Sequence, residues 1–81
     1  MKLIHYTSIT PVAIDNEAAK GIAARVVVGK ADGAENFCMR VFEITPGGHT
    51  PKHVHAWEHE IFFSSGEGEA YADGKWHKVK E

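Results

Sequence analysis

The sequence contains little that would anchor a fold covalently or place it in a membrane. Cys38 is the single cysteine among 81 residues, so we expect a free, buried thiol in a fold that needs no oxidising compartment. No stretch approaches the roughly 18 apolar residues that span a bilayer, and residues 1–6 lack the apolar core of a signal peptide. These absences predict a cytoplasmic protein with no membrane partner.

A strong excess of charge of one sign is also missing. Lys and Arg number 9 and Asp and Glu number 11, which gives a formal net charge of −2. Binding to a phosphate backbone or to an anionic membrane surface requires a positive excess. The composition therefore predicts that nucleic acid is not a partner.

Leucine occurs once, whereas Val and Ile total 13, a bias that favours β-strands over helices. A chain of this length forms one domain, here residues 1–81, with an N-terminal arm over residues 2–21 and strands over 22–81. Within the arm, residues 2–10 are β-prone and residues 18–20 irregular. The predicted strands are 22–28, 37–44, 60–64, 69–72 and 75–79.

Turn residues separate these runs at short intervals. Pro46, Gly47 and Gly48 predict a tight turn, because proline presets φ and glycine accepts positive φ. Asp73 and Gly74 predict a two-residue hairpin turn between the last two strands. Short strands joined in this way indicate an antiparallel sandwich or barrel.

The most unusual feature is a cluster of histidines. Four of the six, His49, His53, His55 and His59, lie within eleven consecutive positions. On an extended strand, His53 and His55 project from one face, and neutral imidazole is the commonest ligand for transition metals. At the start of the predicted strand 60–64, His59 and Glu60 face opposite ways. The cluster therefore predicts a metal site with ligands from two neighbouring segments, against the alternative of solvated or merely hydrogen-bonded histidines.

The spacing of these residues resembles the first motif of the cupin family. That motif has a glycine, five residues, His-x-His, three or four residues, an acid, six residues and a second glycine. Here five residues separate Gly47 from His53, three separate His55 from His59, and six separate His59 from Gly66. His59 thus occupies the position of the acid, as in small cupins whose metal is held entirely by histidines.

The resemblance implies an all-β, cupin-like antiparallel β-barrel or jelly roll, also called a double-stranded β-helix. It implies a divalent metal held by His53, His55 and His59, with Glu60 as a weaker alternative ligand. Manganese is the metal that this subgroup suggests first, with iron, nickel and zinc as alternatives.

The resemblance covers residues 22–81, and a second motif with a fourth histidine ligand is not among the 81 residues. We therefore expect an incomplete barrel on this chain, either a truncated piece or one that a second copy completes. A chain that leaves strand edges and an apolar inner face open is expected to form a homodimer or higher oligomer, through edge pairing or exchange of the residue 2–10 arm.

The implied function is that of a metal-dependent oxygenase-like or isomerase-like enzyme acting on a small organic substrate. Two alternatives remain open: a non-catalytic module that binds a metal or a small molecule, and a truncated form without a competent site. Fold alone does not name a reaction. Arg40 is considered either as a substrate anion partner or as a surface residue, His49 as an entrance or surface residue, and His5 and His77 as structural or solvated.

Overall fold

A computed structural model describes residues 2–51 and 58–81 of the chain. The described residues form five strands and no α-helix, which confirms the prediction of a mostly β protein. The strands are β1 (Val12–Ile14), β2 (Lys20–Val28), β3 (Met39–His49), β4 (Glu67–Ala72) and β5 (Lys75–Lys80), and single 3-10 turns occur at Tyr6–Ser8 and Lys30–Asp32. No helix in this part of the chain is long and apolar enough to cross a membrane.

The five strands form two small antiparallel sheets. One has the order β1-β2-β3, and the other is the hairpin β4-β5. Within residues 2–51 and 58–81, no strand of one sheet pairs with a strand of the other, so no closed barrel is formed. The antiparallel β class is confirmed, whereas the cupin-like barrel stays a proposal.

The two faces of the three-stranded sheet differ in chemistry. Residues paired directly across antiparallel strands point to the same face, and the pairing joins Ile14 to Ile22 to Ile44, Val12 to Ala24 to Phe42, and Val26 to Arg40. We call this set the apolar face: Val12, Ile14, Ile22, Ala24, Val26, Arg40, Phe42 and Ile44. Of its members only Ile22 is buried, and among the described residues only Ala19 joins it as a buried hydrophobic side chain.

The N-terminal arm contacts the opposite face and the edge of β2. Arg25 donates a hydrogen bond from Nε to the carbonyl oxygen of Ile9 (2.9 Å), its guanidinium lies 5.6 Å from the centre of the Tyr6 ring, and it forms an ion pair with Glu43. Lys2 donates from Nζ to the carbonyl oxygen of Val27 (2.8 Å). The arm therefore packs on its own chain.

Asp32 holds the far end of the arm in place. Its carboxylate accepts a hydrogen bond from Lys2 Nζ at 2.7 Å and one from the backbone N–H of Gly29 at 3.0 Å. The Lys2 ammonium and then the Gly29 N–H lower the pKa of Asp32 below the ordinary 3.8. The carboxylate therefore stays charged, and able to hold Lys2, to a lower pH than an isolated aspartate would.

The hairpin β4-β5 follows the prediction closely. Ala72 pairs with Lys75, so Asp73 and Gly74 form a two-residue loop, and both have positive φ (53° and 79°). That combination is typical of a type I′ turn, whose twist matches that of the flanking strands. Next to the turn, the rings of Tyr71 and Trp76 pack edge to face with centroids 5.3 Å apart.

Five predictions about local structure and burial were wrong. Residues 2–10 form a 3-10 turn and irregular chain rather than a strand, and β1 was missed. Residues 60–64 are not a strand, because a β-prone run needs a partner strand and none of the described strands pairs with it. The expected turn at residues 46–48 lies inside β3. Cys38 is free as predicted but exposed rather than buried, because it precedes β3 in irregular chain.

Candidate metal centre

A β-bulge in β3 precedes the histidine cluster. Lys20 pairs with His49 and Ile22 with Ile44, so Gly21 alone faces the four residues 45–48. Extra residues in one strand bend it and increase its local twist, and bulges of this kind are frequent beside functional sites. The bulge therefore redirects the end of β3 just before the cluster.

The bulge is closely packed. A β-carbon on Gly48 would lie 2.5 Å from the carbonyl oxygen of Lys20 and 2.9 Å from Ile44 Cγ2, and one on Gly21 would lie 2.2 Å from Thr45 Oγ1. The hydroxyl of Thr45 donates a long hydrogen bond to the carbonyl oxygen of Gly21 (3.3 Å). Steric contact across the strands thus fixes where β3 bends.

The two glycines that bound the motif share an unusual conformation. Gly47 has a φ of 82° and Gly66 a φ of 85°. A β-carbon on either would have no heavy atom within 4 Å, so close packing does not explain the choice of glycine. Positive φ costs other L-residues about 1–2 kcal/mol, so the backbone requires glycine at both ends of the segment.

The predicted ligands are only partly within the described residues. His53 and His55 lie outside them, as does Trp57, whereas His59 and Glu60 are described and exposed. Within residues 2–51 and 58–81, no three His, Cys, Asp or Glu side chains are close enough together to hold a metal ion. The three-histidine site therefore stays a prediction.

Because residues 60–64 do not form a strand, strand geometry no longer excludes Glu60 as a ligand beside His59. Alternation along a regular strand would place His59 and Glu60 on opposite faces, but that alternation requires extended, paired chain. The residues there are irregular. Only the six-residue spacing to Gly66 now favours His59 over Glu60, because the motif allows either three or four residues after His55.

The remaining histidines have structural or solvated surroundings. His77, half-buried on β5, donates a hydrogen bond from Nε2 to the carbonyl oxygen of Ala72 (3.0 Å). His5 Nδ1 lies 3.1 Å from Thr7 Oγ1, and His49 is exposed at the end of β3. These surroundings agree with the roles predicted for the three residues.

Arg40 lies on the apolar face of the sheet. Its side chain is exposed, and its guanidinium lies 5.2 Å from the centre of the Phe42 ring. A cation over an aromatic face is stabilised by the ring quadrupole. The contact gives Arg40 a local partner, and a role towards a substrate anion stays a prediction.

A shallow groove lies between the end of β1 and the bulge of β3. It has a volume of about 410 Å³, and its walls combine apolar side chains with the polar side chains of Asp15, Glu43 and Thr45. Gly21 and Thr45 of the bulge are among its lining residues.

Comparison with known proteins returned no relative: no family model, no curated protein and no solved structure matches the chain. The resemblance to cupins therefore depends on the motif residues themselves.

Proposed function

We propose that this chain is a metal-binding protein of the cupin type, with His53, His55 and His59 as ligands to a divalent transition metal. The observation that carries the proposal is the spacing of these histidines between Gly47 and Gly66. A lone His-x-His is common, whereas five motif positions in register within a β-rich chain are not.

Two structural features support the proposal. The described strands are all antiparallel, as the family's barrel requires. Both motif glycines have the positive φ that makes glycine necessary rather than incidental.

The donor set fits a transition metal. Three imidazoles bind zinc, iron and nickel well, and the family resemblance adds manganese as the first choice. When bound, a metal held by three protein ligands keeps open positions at which an oxygen-containing substrate or dioxygen can coordinate.

The function that we propose on this basis is oxygenase-like or isomerase-like chemistry on a small organic substrate. The protein's own contribution would be to hold the metal, orient the substrate and exclude water. The alternative is a module that binds metal or small molecules without turnover.

Metal analysis followed by activity screening tests the proposal. The purified chain is dialysed against Mn²⁺, Fe²⁺, Ni²⁺ or Zn²⁺, its metal content is measured, and each loaded form is assayed on phenolic, sugar and keto-acid substrates. We expect one metal ion per site and turnover with manganese or iron. Stoichiometric metal without turnover would favour the binding module, and absence of metal would refute the metal-dependent enzyme.

A further inference from the structure

The start of β2 and the end of β3 lie side by side where the histidine segment begins. Lys20, the first residue of β2, pairs directly with His49, the last residue of β3. Residues paired in this way across antiparallel strands have α-carbons about 4.5–5.5 Å apart. His53 follows His49 by four residues, a chain length of at most about 14 Å. Lys20 therefore brings a cation to the end of the sheet from which the histidine segment leaves.

The backbone at Lys20 is held from two sides. On the side of the preceding loop, Asn16 Oδ1 accepts hydrogen bonds from the backbone N–H groups of Ala18 (2.8 Å) and Ala19 (3.0 Å). Ala19 itself is only 1% exposed. Across the strands, a β-carbon on Gly48 would lie 2.5 Å from the carbonyl oxygen of Lys20. A charged side chain on a backbone held in this way is positioned before a ligand arrives, which lowers the entropic cost of binding.

The Lys20 side chain is exposed, and its charge is not compensated by a neighbour. Among the described residues the ion pairs join Lys2 to Asp32 and Arg25 to Glu43, and Lys20 takes part in neither. An ammonium group donates three hydrogen bonds and accepts none. An anionic group is therefore the ligand that the side chain favours.

Arg40, the other cation considered for a substrate anion, lies towards the opposite end of the sheet. It pairs with Val26, six residues after Lys20 along β2, which corresponds to about 20 Å at roughly 3.3 Å per residue. Its guanidinium is already placed 5.2 Å from the centre of the Phe42 ring. The strand register therefore favours Lys20 over Arg40 as the cation beside the histidine segment.

From this register we propose that Lys20 is a substrate-binding residue and that the substrate is a small organic acid, whose carboxylate Lys20 binds. The inference rests on the proposed metal site and adds a substrate class to it. A single ammonium matches the one charge of a carboxylate better than the charge of a phosphate group, which is close to two at neutral pH. A substrate fixed through its carboxylate is held in one orientation, and orientation lowers the barrier to reaction.

The binding of two organic acids to the Mn²⁺-loaded chain tests this assignment. Pyruvate and benzoate are each compared with their methyl esters, which lack the charge, and broadening of the ligand proton lines by the bound Mn²⁺ reports binding by NMR. We expect at least one acid to bind about tenfold more tightly than its ester, as a hydrogen bond between charged groups predicts. Lys20→Gln should remove that difference, whereas Lys20→Arg, which keeps the charge, should retain most of it. Metal content should be the same in all three proteins.

Lys30→Gln is the matched control, because it removes the same charge from an exposed lysine on the 3-10 turn that follows β2. It should leave the affinities unchanged, and so should Arg40→Gln. Equal affinities for acid and ester in the wild type would overturn the assignment while the metal site stands. The same holds if Lys20→Gln has no effect, or if Lys30→Gln or Arg40→Gln weakens acid binding as much. A chain that takes up no Mn²⁺ would instead overturn the proposed metal site, and the assignment with it.

Discussion

Gly48 of β3 lies against the carbonyl oxygen of Lys20 on β2, so close that a β-carbon on Gly48 would be 2.5 Å from that oxygen. Because the obstacle is backbone, it cannot rotate away. We predict that Gly48→Ala destabilises the protein by about 1–3 kcal/mol, as overpacking does, in urea unfolding at fixed protein concentration.

The matched control is Gly68→Ala, since a β-carbon on Gly68 has no neighbour within 4 Å and its φ is not positive. That substitution should leave the free energy of unfolding unchanged or raise it by about 0.4–1 kcal/mol, because alanine reduces the conformational entropy of the unfolded chain. Equal stability of the two variants would show that the bulge is not packed as described.

Arg25 connects three parts of the fold, because it contacts Ile9, Tyr6 and Glu43. Its side chain is only 12% exposed. We expect Arg25→Ala to cost about 1.5–3 kcal/mol in thermal or urea unfolding, the range for hydrogen bonds to charged groups. Glu43→Gln should cost less than about 1 kcal/mol, since Glu43 is 58% exposed. A larger loss for Glu43→Gln than for Arg25→Ala would contradict this assignment.

The Lys2–Asp32 contact predicts a pH dependence of the arm. The folded pKa of Asp32 lies below 3.8. The charged carboxylate therefore contributes to the stability of the folded chain above pH 3.8, and this stabilisation is lost as the pH falls through the folded pKa. By NMR titration, Lys2→Gln should raise the pKa of Asp32 only part of the way to 3.8, because the Gly29 N–H remains.

Lys30→Gln is the control for this titration, since Lys30 lies on the same 3-10 turn while the Asp32 carboxylate contacts Lys2 and Gly29. Lys30→Gln should leave the pKa of Asp32 unchanged. If the two variants shift that pKa equally, general charge rather than the specific contact sets it.

Local signals predicted the central part of the fold. The β-branched run 22–28 lies within β2, and the alternating run 37–44 overlaps β3. Asp73 and Gly74 identified the hairpin turn, because few residue pairs accept positive φ at both positions. In each of these cases the decisive information lies within a few consecutive residues.

The errors came from features that depend on distant residues. β1 has three residues, too few for a recognisable alternation, and it is a strand because it pairs with β2. Residues 46–48 continue β3 because Lys20 pairs with His49 beyond the bulge. For the candidate site, the spacing of the motif predicted His53, His55 and His59 as ligands. The prediction that Glu60 faces away from His59 required a paired strand at residues 60–64, and the described residues contain no such strand.

Glu60 therefore needs its own test. Glu60→Gln keeps the size of the side chain and removes its charge. If His59 is the third ligand, metal content should stay within about twofold of the wild type, whereas loss of a true carboxylate ligand is expected to lower metal affinity by well over tenfold. Metal content after dialysis, compared with that of His59→Ala, decides between the two residues.

The most direct test of the account is the metal content of the histidine variants. His53→Ala, His55→Ala and His59→Ala are compared with His77→Ala, whose imidazole is hydrogen-bonded within the hairpin. After equilibrium dialysis against Mn²⁺, we predict about one metal ion per chain in the wild type and in His77→Ala, and nearly none in the other three variants, since each removes one of three ligands. Metal retained in His59→Ala but lost in His77→Ala would contradict the proposed site.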